Sequence, residues 1–339
     1  MMSLAIPQLA FGLYQVPPAI TRAVVKNAIQ AGYRRECYSV AKVIADRGDL
    51  YGFARVLLLL LISPLCLLLL CLSSSSLLSP PLPLFDPNRP TSSRQQDFDS
   101  ASFYGNEEEV GHGIQDALRS GLIKTRSDLF VCSKVWNDAQ KLGEKGVRES
   151  VLRSIEQLQV GYLDLFLVHW PVPGFHVSTY KTLETFVADG LIKNLGVSNY
   201  NQSEYEELLS GGITVLPVVN QIEVSPLMYR RELVDYFVDR GVKIAAYKPL
   251  QRGAALSNKE VVDIAERLKV PPSRLLLRWS VQKQFVVIAK TTDPERMAEN
   301  LNLYDFDISK EDMETLDAMT TIEGVEERER HEKARKEGM

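Results

Sequence analysis

The chain has 339 residues, 45% apolar and 24% charged, with a formal net charge of −4. That describes an ordinary, mildly acidic chain, long enough for one large domain or two average ones. The mild negative charge argues against a general nucleic-acid binder, which would show a basic stripe. Four cysteines are too few for a disulfide-framed secreted scaffold.

In chain order, Leu9–Gln15 reads as a strand, and a helix ends at Ala31-Gly32, where Tyr33-Arg34 begins a second strand. The pattern then breaks. The run from Val56 to Leu72, VLLLLLISPLCLLLLCL, is seventeen residues without a charge. It reaches the lower limit of about 17 residues for a membrane helix, although Ser63 and Pro64 sit at its middle. More than fifty residues precede it, which excludes a standard signal peptide. Being apolar on every side and uncapped, it does not read as a core helix either. The Ser/Pro tract that follows lacks the apolar surface to repay chain entropy and is expected to be disordered. Cys37, Cys66 and Cys71 all fall in this region, leaving Cys132 outside it.

The junctions explain the break. Asp99-Ser100-Ala101 looks like the strand begun at Tyr33-Arg34 finishing, whereas natural insertions fall in exposed loops. Arg35-Glu36-Cys37 can be encoded with GTGAGT, a typical intron start, and Gln96-Asp97 with a closing AG. Joining the remaining bases restores Gly-Tyr-Arg-His-Phe-Asp. The segment at about 35–96 is therefore read as a non-family insertion, a translated intron. Its removal leaves about 277 residues, close to the roughly 250 of an eight-unit barrel.

Downstream, apolar runs alternate with amphipathic helices. Strands are expected at Leu129–Lys134, Leu163–His169, Asn194–Val197, Val218–Gln221, Lys243–Tyr247 and Phe285–Ala289. Helices are expected at 147–158, 179–188, 204–209, 231–240, 259–268, 273–282 and 294–301, with Asn201 capping the third of these. With the first strand and the interrupted one, this makes eight β/α units, hence an α/β fold of the (β/α)8 TIM-barrel type. A doubly wound sheet is the alternative, but no G-x-G-x-x-G follows a strand. The charged residues 326–339 read as a solvated helix or disorder rather than a substrate-gating loop.

In such barrels the site lies where the strands end. Those ends carry Asp99 with Tyr104 just beyond, Lys134, His169, Ser198-Asn199, Gln221, Tyr247 and Lys290. Singly, each has a bland reading: a helix-capping Asp, a hydrogen-bonded His, a half-buried Tyr, a surface Lys. Together they stand within longer motifs, Asp99-Ser100-Ala101-Ser102-Phe103-Tyr104-Gly105-Asn106-Glu107, Ser133-Lys134-Val135-Trp136-Asn137 and Leu167-Val168-His169-Trp170-Pro171. Gly196-Val197-Ser198-Asn199-Tyr200, Asn220-Gln221-Ile222-Glu223 and Lys290-Thr291-Thr292 follow in order. The set resembles the aldo-keto reductase family over nearly the whole chain outside the insertion. The short connection after Val172-Pro173-Gly174 is similar to the compact bacterial and fungal branch, with its 2,5-diketo-gluconate reductase-like and glycerol dehydrogenase-like members.

The resemblance implies an NADP-dependent oxidoreductase (alcohol dehydrogenase or carbonyl reductase type) that reduces aldehydes and ketones to alcohols. Tyr104 matches the proton donor, Lys134 the cation beside it, Asp99 that lysine's carboxylate partner, and His169 the residue that orients the carbonyl. A free tyrosine has a pKa near 10, and a neighbouring cation lowers it. Ser198, Asn199 and Gln221 match the residues that hold the nicotinamide carboxamide, and Tyr247 the one that stacks on its ring. Lys290, Thr291 and Arg296 match the cluster at the adenosine 2′-phosphate, which favours NADPH over NADH. Glu299 and Asn300 match the adenine contacts. Lys248 stands where the family usually has serine beside the pyrophosphate, and could touch phosphate or crowd the loop. Tyr14, Trp136 and Trp170 would shape an aromatic substrate pocket. No metal set is visible among His112, His169, His176 and His331.

The expected partner is a small-molecule carbonyl compound, with no nucleic acid, and a membrane only if the 56–72 run acts as a span. A cytoplasmic monomer is expected. Two other readings stand beside the enzyme: a non-catalytic NADPH-binding barrel that regulates a partner, and a membrane-tethered or defective form caused by the insertion. Retention of all four catalytic positions argues against the first.

Overall fold

The structure, a computed structural model, describes residues 6–33 and 96–337. The insertion, apart from Gln96, and its apolar run lie outside the described residues. Eight parallel strands close into a barrel in sequence order. They are β1 (Leu9–Gly12), β2 (Gln96–Asp99), β3 (Phe130–Val135), β4 (Leu165–Val168), β5 (Leu195–Ser198), β6 (Val219–Glu223), β7 (Lys243–Tyr247) and β8 (Val286–Ala289). β1 pairs with both β2 and β8, completing the ring.

The strands are covered on both faces, which is why β4 (LFLV) and β8 (VVIA) read as continuous apolar runs rather than alternations, whereas β2 and β6 carry polar residues toward the site. Ala10, Phe130, Cys132, Leu165, Leu167, Val219, Ala245, Val286 and Ile288 form one buried cluster. Their neighbours Phe11, Phe98, Val131, Phe166, Val168, Val197 and Ile244 belong to a second cluster, which also takes in the helices. Strand periodicity thus divides barrel interior from helical jacket. Gly196 is demanded by closeness, since a Cβ there would lie 2.6 Å from Val219 Cγ1 and 2.7 Å from Leu167 Cδ2.

The helices are α1 (Pro18–Ala31), α2 (Glu107–Arg119), α3 (Asn137–Lys141), α4 (Gly143–Leu158), α5 (His176–Ala188), α6 (Gln202–Ser210), α7 (Arg231–Asp239), α8 (Lys259–Leu268), α9 (Pro272–Gln282), α10 (Pro294–Leu301), α11 (Lys310–Asp317) and α12 (Ile322–Glu337). Asn201 caps α6 as its sequence predicts: its side chain accepts from the Glu204 amide at 2.9 Å, and Glu204 Oε2 accepts from the Asn201 amide at 2.8 Å. α8 and α10 match their expected bounds, whereas β6 extends beyond Gln221 and carries Glu223 to the rim.

One polar tie joins barrel to jacket behind the site. Ser133, on the outward side of β3, donates to Glu107 Oε1 at 2.6 Å, and Ser154 of α4 donates to Glu107 Oε2 at 2.9 Å. Burial raises the Glu107 carboxyl above its ordinary range despite both bonds. The tail is a helix, one of its two expected forms, but it is not solvated all round. Glu332 and Lys336 of α12 are buried against the barrel end.

Candidate active site

The C-terminal ends of the strands collect the groups singled out in the sequence. Asp99 ends β2, Lys134 lies near the end of β3, and His169 follows β4 directly. Tyr104 sits in the 3-10 turn Ser102–Tyr104, one turn beyond β2. Lys134 is fully buried, and its ammonium makes three contacts: Asp99 Oδ1 at 2.8 Å, the Ser100 carbonyl at 2.6 Å and the Tyr104 hydroxyl at 3.2 Å. An ammonium has three donors and no acceptor, so all three are placed. The Tyr104 oxygen therefore accepts from Lys134, and its own proton is directed elsewhere. Gln221 Nε2 also donates to Asp99 Oδ1, at 2.8 Å.

Burial pushes the Tyr104 phenol above its ordinary value; Lys134 pulls it down, but Asp99 offsets part of that pull. The lysine lowers the phenol as the family pattern implies, yet burial wins and the group stays protonated well above neutrality. Burial also opposes the charge on Lys134, but Asp99 and the other groups around it outweigh that and raise its pKa. His169 is held well below its ordinary value by burial, then by Lys134 and Arg335. It is a neutral imidazole at neutral pH, and its buried Nδ1 has no partner.

Beside this group lie the residues expected to hold a nicotinamide. Ser198 Oγ donates to the Gln221 carbonyl at 2.8 Å. Asn199 Nδ2 donates to the His169 carbonyl and to Ser198 Oγ, both at 3.0 Å. Asn199 takes a left-handed φ of +61°, a strained conformation for a side-chain-bearing residue, held here by these amide bonds. Tyr247, the last residue of β7, donates to Asn199 Oδ1 at 2.7 Å. Lys248 Nζ donates to Glu223 Oε2 at 2.7 Å rather than facing open solvent.

The expected phosphate and adenine residues form a separate group at the rim between β8 and α10. Lys290 is exposed, and the buried Thr291 accepts from the Asp293 amide at 3.1 Å. Asp293 caps α10, and its Oδ2 stands 3.7 Å from the Nε of Arg296, which is 73% exposed. Glu299 is exposed and Asn300 buried on the same helix.

Known proteins share this barrel. Residues 95–321 match the model of the Aldo/keto reductase family. The chain belongs to that family. It is therefore an oxidoreductase of carbonyl groups. It is 39% identical to glyoxal reductase of Bacillus subtilis over 227 residues, covering 67% of this chain and 79% of that protein. It is 33% identical to NAD(P)H-dependent D-xylose reductase I,II of Candida tropicalis over 259 residues, covering 65% and 79% respectively. A Gox0644 variant solved in complex with NADPH superposes with a TM-score of 0.70 at 27% identity, covering 94% of this chain and 91% of the other.

In this aldo/keto reductase the mouth beside Tyr104 is aromatic. The Tyr14 and Tyr104 ring centroids are 5.1 Å apart, and Trp136 packs edge-on against His169 at 4.9 Å. Phe103, which the sequence reading left without a role, stacks on Trp136 at 3.8 Å and is 43% exposed. Trp170 is nearly buried, with the guanidinium of Arg328 5.8 Å from its ring centroid. Two other residues passed over by sequence reasoning are Glu223 and Arg328. Glu223 had a visible signal, lying within the Asn220–Glu223 motif. Arg328 had none, because it is one charge among many in the tail.

Proposed function

We propose that this aldo/keto reductase reduces small aldehydes and ketones with NADPH, with Asp99, Tyr104, Lys134 and His169 as its catalytic residues. One observation carries the reading: the buried Lys134 ammonium bridges Asp99 and the Tyr104 hydroxyl while leaving the tyrosine's proton unclaimed. The donor set fits the cofactor. The amides of Asn199 and Gln221 with the Ser198 hydroxyl supply both donors and acceptors, as a carboxamide requires. Tyr247 offers a ring for stacking, and Lys290, Thr291 and Arg296 suit a phosphate monoester. Glu299 and Asn300 lie one helical turn on, for the adenine. Lys248 is left as the lysine of Glu223, within reach of the same end of the barrel.

When bound, NADPH supplies a hydride to the carbonyl carbon. Tyr104 passes its proton to the carbonyl oxygen, and Lys134 stabilises the phenolate so formed. Neutral His169 hydrogen-bonds the same oxygen and orients it. Tyr14, Phe103, Trp136 and Trp170 favour substrates with an apolar or planar part. The similarity to glyoxal reductase adds small dicarbonyls to the class to be tried. A panel of such carbonyls, followed by NADPH oxidation, tests the class. Arg296→Ala is expected to raise the NADPH KM about 10- to 100-fold, the worth of a charge-assisted hydrogen bond to phosphate, with NADH kinetics unchanged. Equal effects on both cofactors would remove Arg296 from the phosphate site.

We read the working protein as one barrel built from residues 1–34 and 97–325 with a charged tail at 326–339, monomeric and cytoplasmic, the segment at 35–96 being a translated intron. Among the described residues no helix is long and apolar enough to cross a membrane. Asp97 supports the intron. It is buried inside the barrel beside Asp99, its Oδ1 has no partner, and burial, then Asp99, pushes its carboxyl well above the ordinary range. The joined reading puts a histidine in that slot. Sequencing the transcript decides the matter: the expected message lacks about 62 codons and encodes a chain close to the roughly 250-residue barrel. A dominant message that keeps them would end the proposal.

A further inference from the structure

The tail helix lies on the residues assigned to the nicotinamide. Arg328 of α12 donates to Glu223 Oε2 at 2.7 Å, to Asn199 Oδ1 at 3.3 Å and to the Tyr247 hydroxyl. Its guanidinium carbon is 5.8 Å from the ring centroids of both Tyr247 and Trp170. A planar cation thus stands at the hydroxyl edge of the ring on which a planar nicotinamide would stack, and shares its hydroxyl and Asn199.

The consequence for Asn199 can be counted. A carboxamide side chain has two donors and two acceptor lone pairs. Both donors are used, on the His169 carbonyl and Ser198 Oγ, and both lone pairs are used, by Tyr247 and Arg328. Asn199 therefore has no capacity left for a ligand until Arg328 withdraws.

The seating of α12 is almost wholly ionic. Arg230 makes a paired contact with Glu332 at 3.1 and 3.2 Å, Arg328 Nε meets Glu332 Oε1 at 2.8 Å, and Lys336 meets Glu204 at 2.7 and 2.9 Å. Apolar anchoring is slight, for Ile322 is 75% exposed. An open cleft of about 920 Å³ runs along the helix, lined in part by Asn201, Arg230, Val325 and Glu329. At the far end the Arg335 carbonyl accepts from Asn137 Nδ2 at 3.4 Å, so the helix reaches over the catalytic side as well. Desolvated ion pairs contribute little net stability, so a helix held by them is readily displaced.

We propose that α12 is an autoinhibitory strap: docked, its Arg328 takes up the polar groups of Asn199 and Tyr247 that the nicotinamide needs, and NADPH binds only to molecules in which the helix has swung away. This rests on the assignment of Asn199 and Tyr247 to the nicotinamide. The strap and the cofactor compete for the same groups, so the docked population raises the apparent Kd.

The test is an NADPH fluorescence titration of the full chain, of Arg328→Ala, and of a chain ending at Thr321, with Tyr247→Ala as the control for the site. Both tail variants are expected to bind NADPH about tenfold tighter, as when one molecule in ten is competent at rest. Tyr247→Ala is expected to bind more weakly. In the unaltered protein, NADPH should also speed tryptic cleavage after Arg328 and Arg330. If Tyr247→Ala weakens binding while neither tail variant tightens it, the strap is wrong and the site stands. Weaker binding by both tail variants, with α12 protected from trypsin, would make the helix a clamp and overturn the proposal. Unchanged affinity in Tyr247→Ala would remove the site assignment and the strap with it.

Discussion

Replacing Tyr104 by phenylalanine is expected to lower kcat for carbonyl reduction about 100- to 10,000-fold, the usual contribution of a positioned acid. NADPH affinity should be unchanged. The substitution deletes one oxygen and keeps the ring, so the contact with Tyr14 survives and the loss is one of chemistry, not packing. What disappears is the only proton whose position the Lys134 contacts define. The hydroxyl accepts from the ammonium and points its hydrogen elsewhere, as an acid poised to donate must. Because burial keeps Tyr104 protonated well above neutrality, the acid form persists across the neutral range, and its loss limits the rate only as pH rises toward its raised pKa. Stopped-flow and steady-state NADPH oxidation check this. Near-normal turnover in the variant would assign the proton to another group.

The second large effect is expected from Lys134→Met. It removes the cation proposed to stabilise the phenolate and leaves Asp99, 3% exposed, as a buried charge beside Gln221. Breaking a buried pair from one side costs about 3–5 kcal/mol of stability. Chemical denaturation should therefore show a large fall in midpoint as well as an activity loss. Adding Asp99→Asn separates the two. The neutral amide no longer needs a cation, so stability should largely return, whereas activity should not. A double variant that recovered activity would show that the lysine serves folding alone. One that recovered neither would point to packing damage from the methionine.

Much of this was legible before any coordinates. The barrel follows from local pattern: apolar runs buried on both faces, separated by helices of about 10–15 residues, leave few architectures. Asp99, Lys134 and His169 stood out because each is a polar residue closing an apolar strand. Asn201 was readable as a cap because capping is settled within one turn. Other features had no such signal. The Phe103–Trp136 stack joins a turn after β2 to the end of β3, and nothing in either segment specifies the approach. The sign of the Tyr104 shift depended on how much water the folded site excludes, and burial exceeded the lysine's pull.

The tail shows the division most sharply. By itself the sequence determined that 326–339 is highly charged and lacks the apolar stripe that docks an amphipathic helix. From that, solvation was the natural reading. Only the tertiary structure placed Arg230, Glu332, Arg328 and Glu223 in one chain of ion pairs, joining groups more than a hundred positions apart. The physical reason is that burial patterns are periodic and local, so the chain displays them in its own order. Charge pairing across a barrel mouth has no period, and exists only once the strands have set the distances.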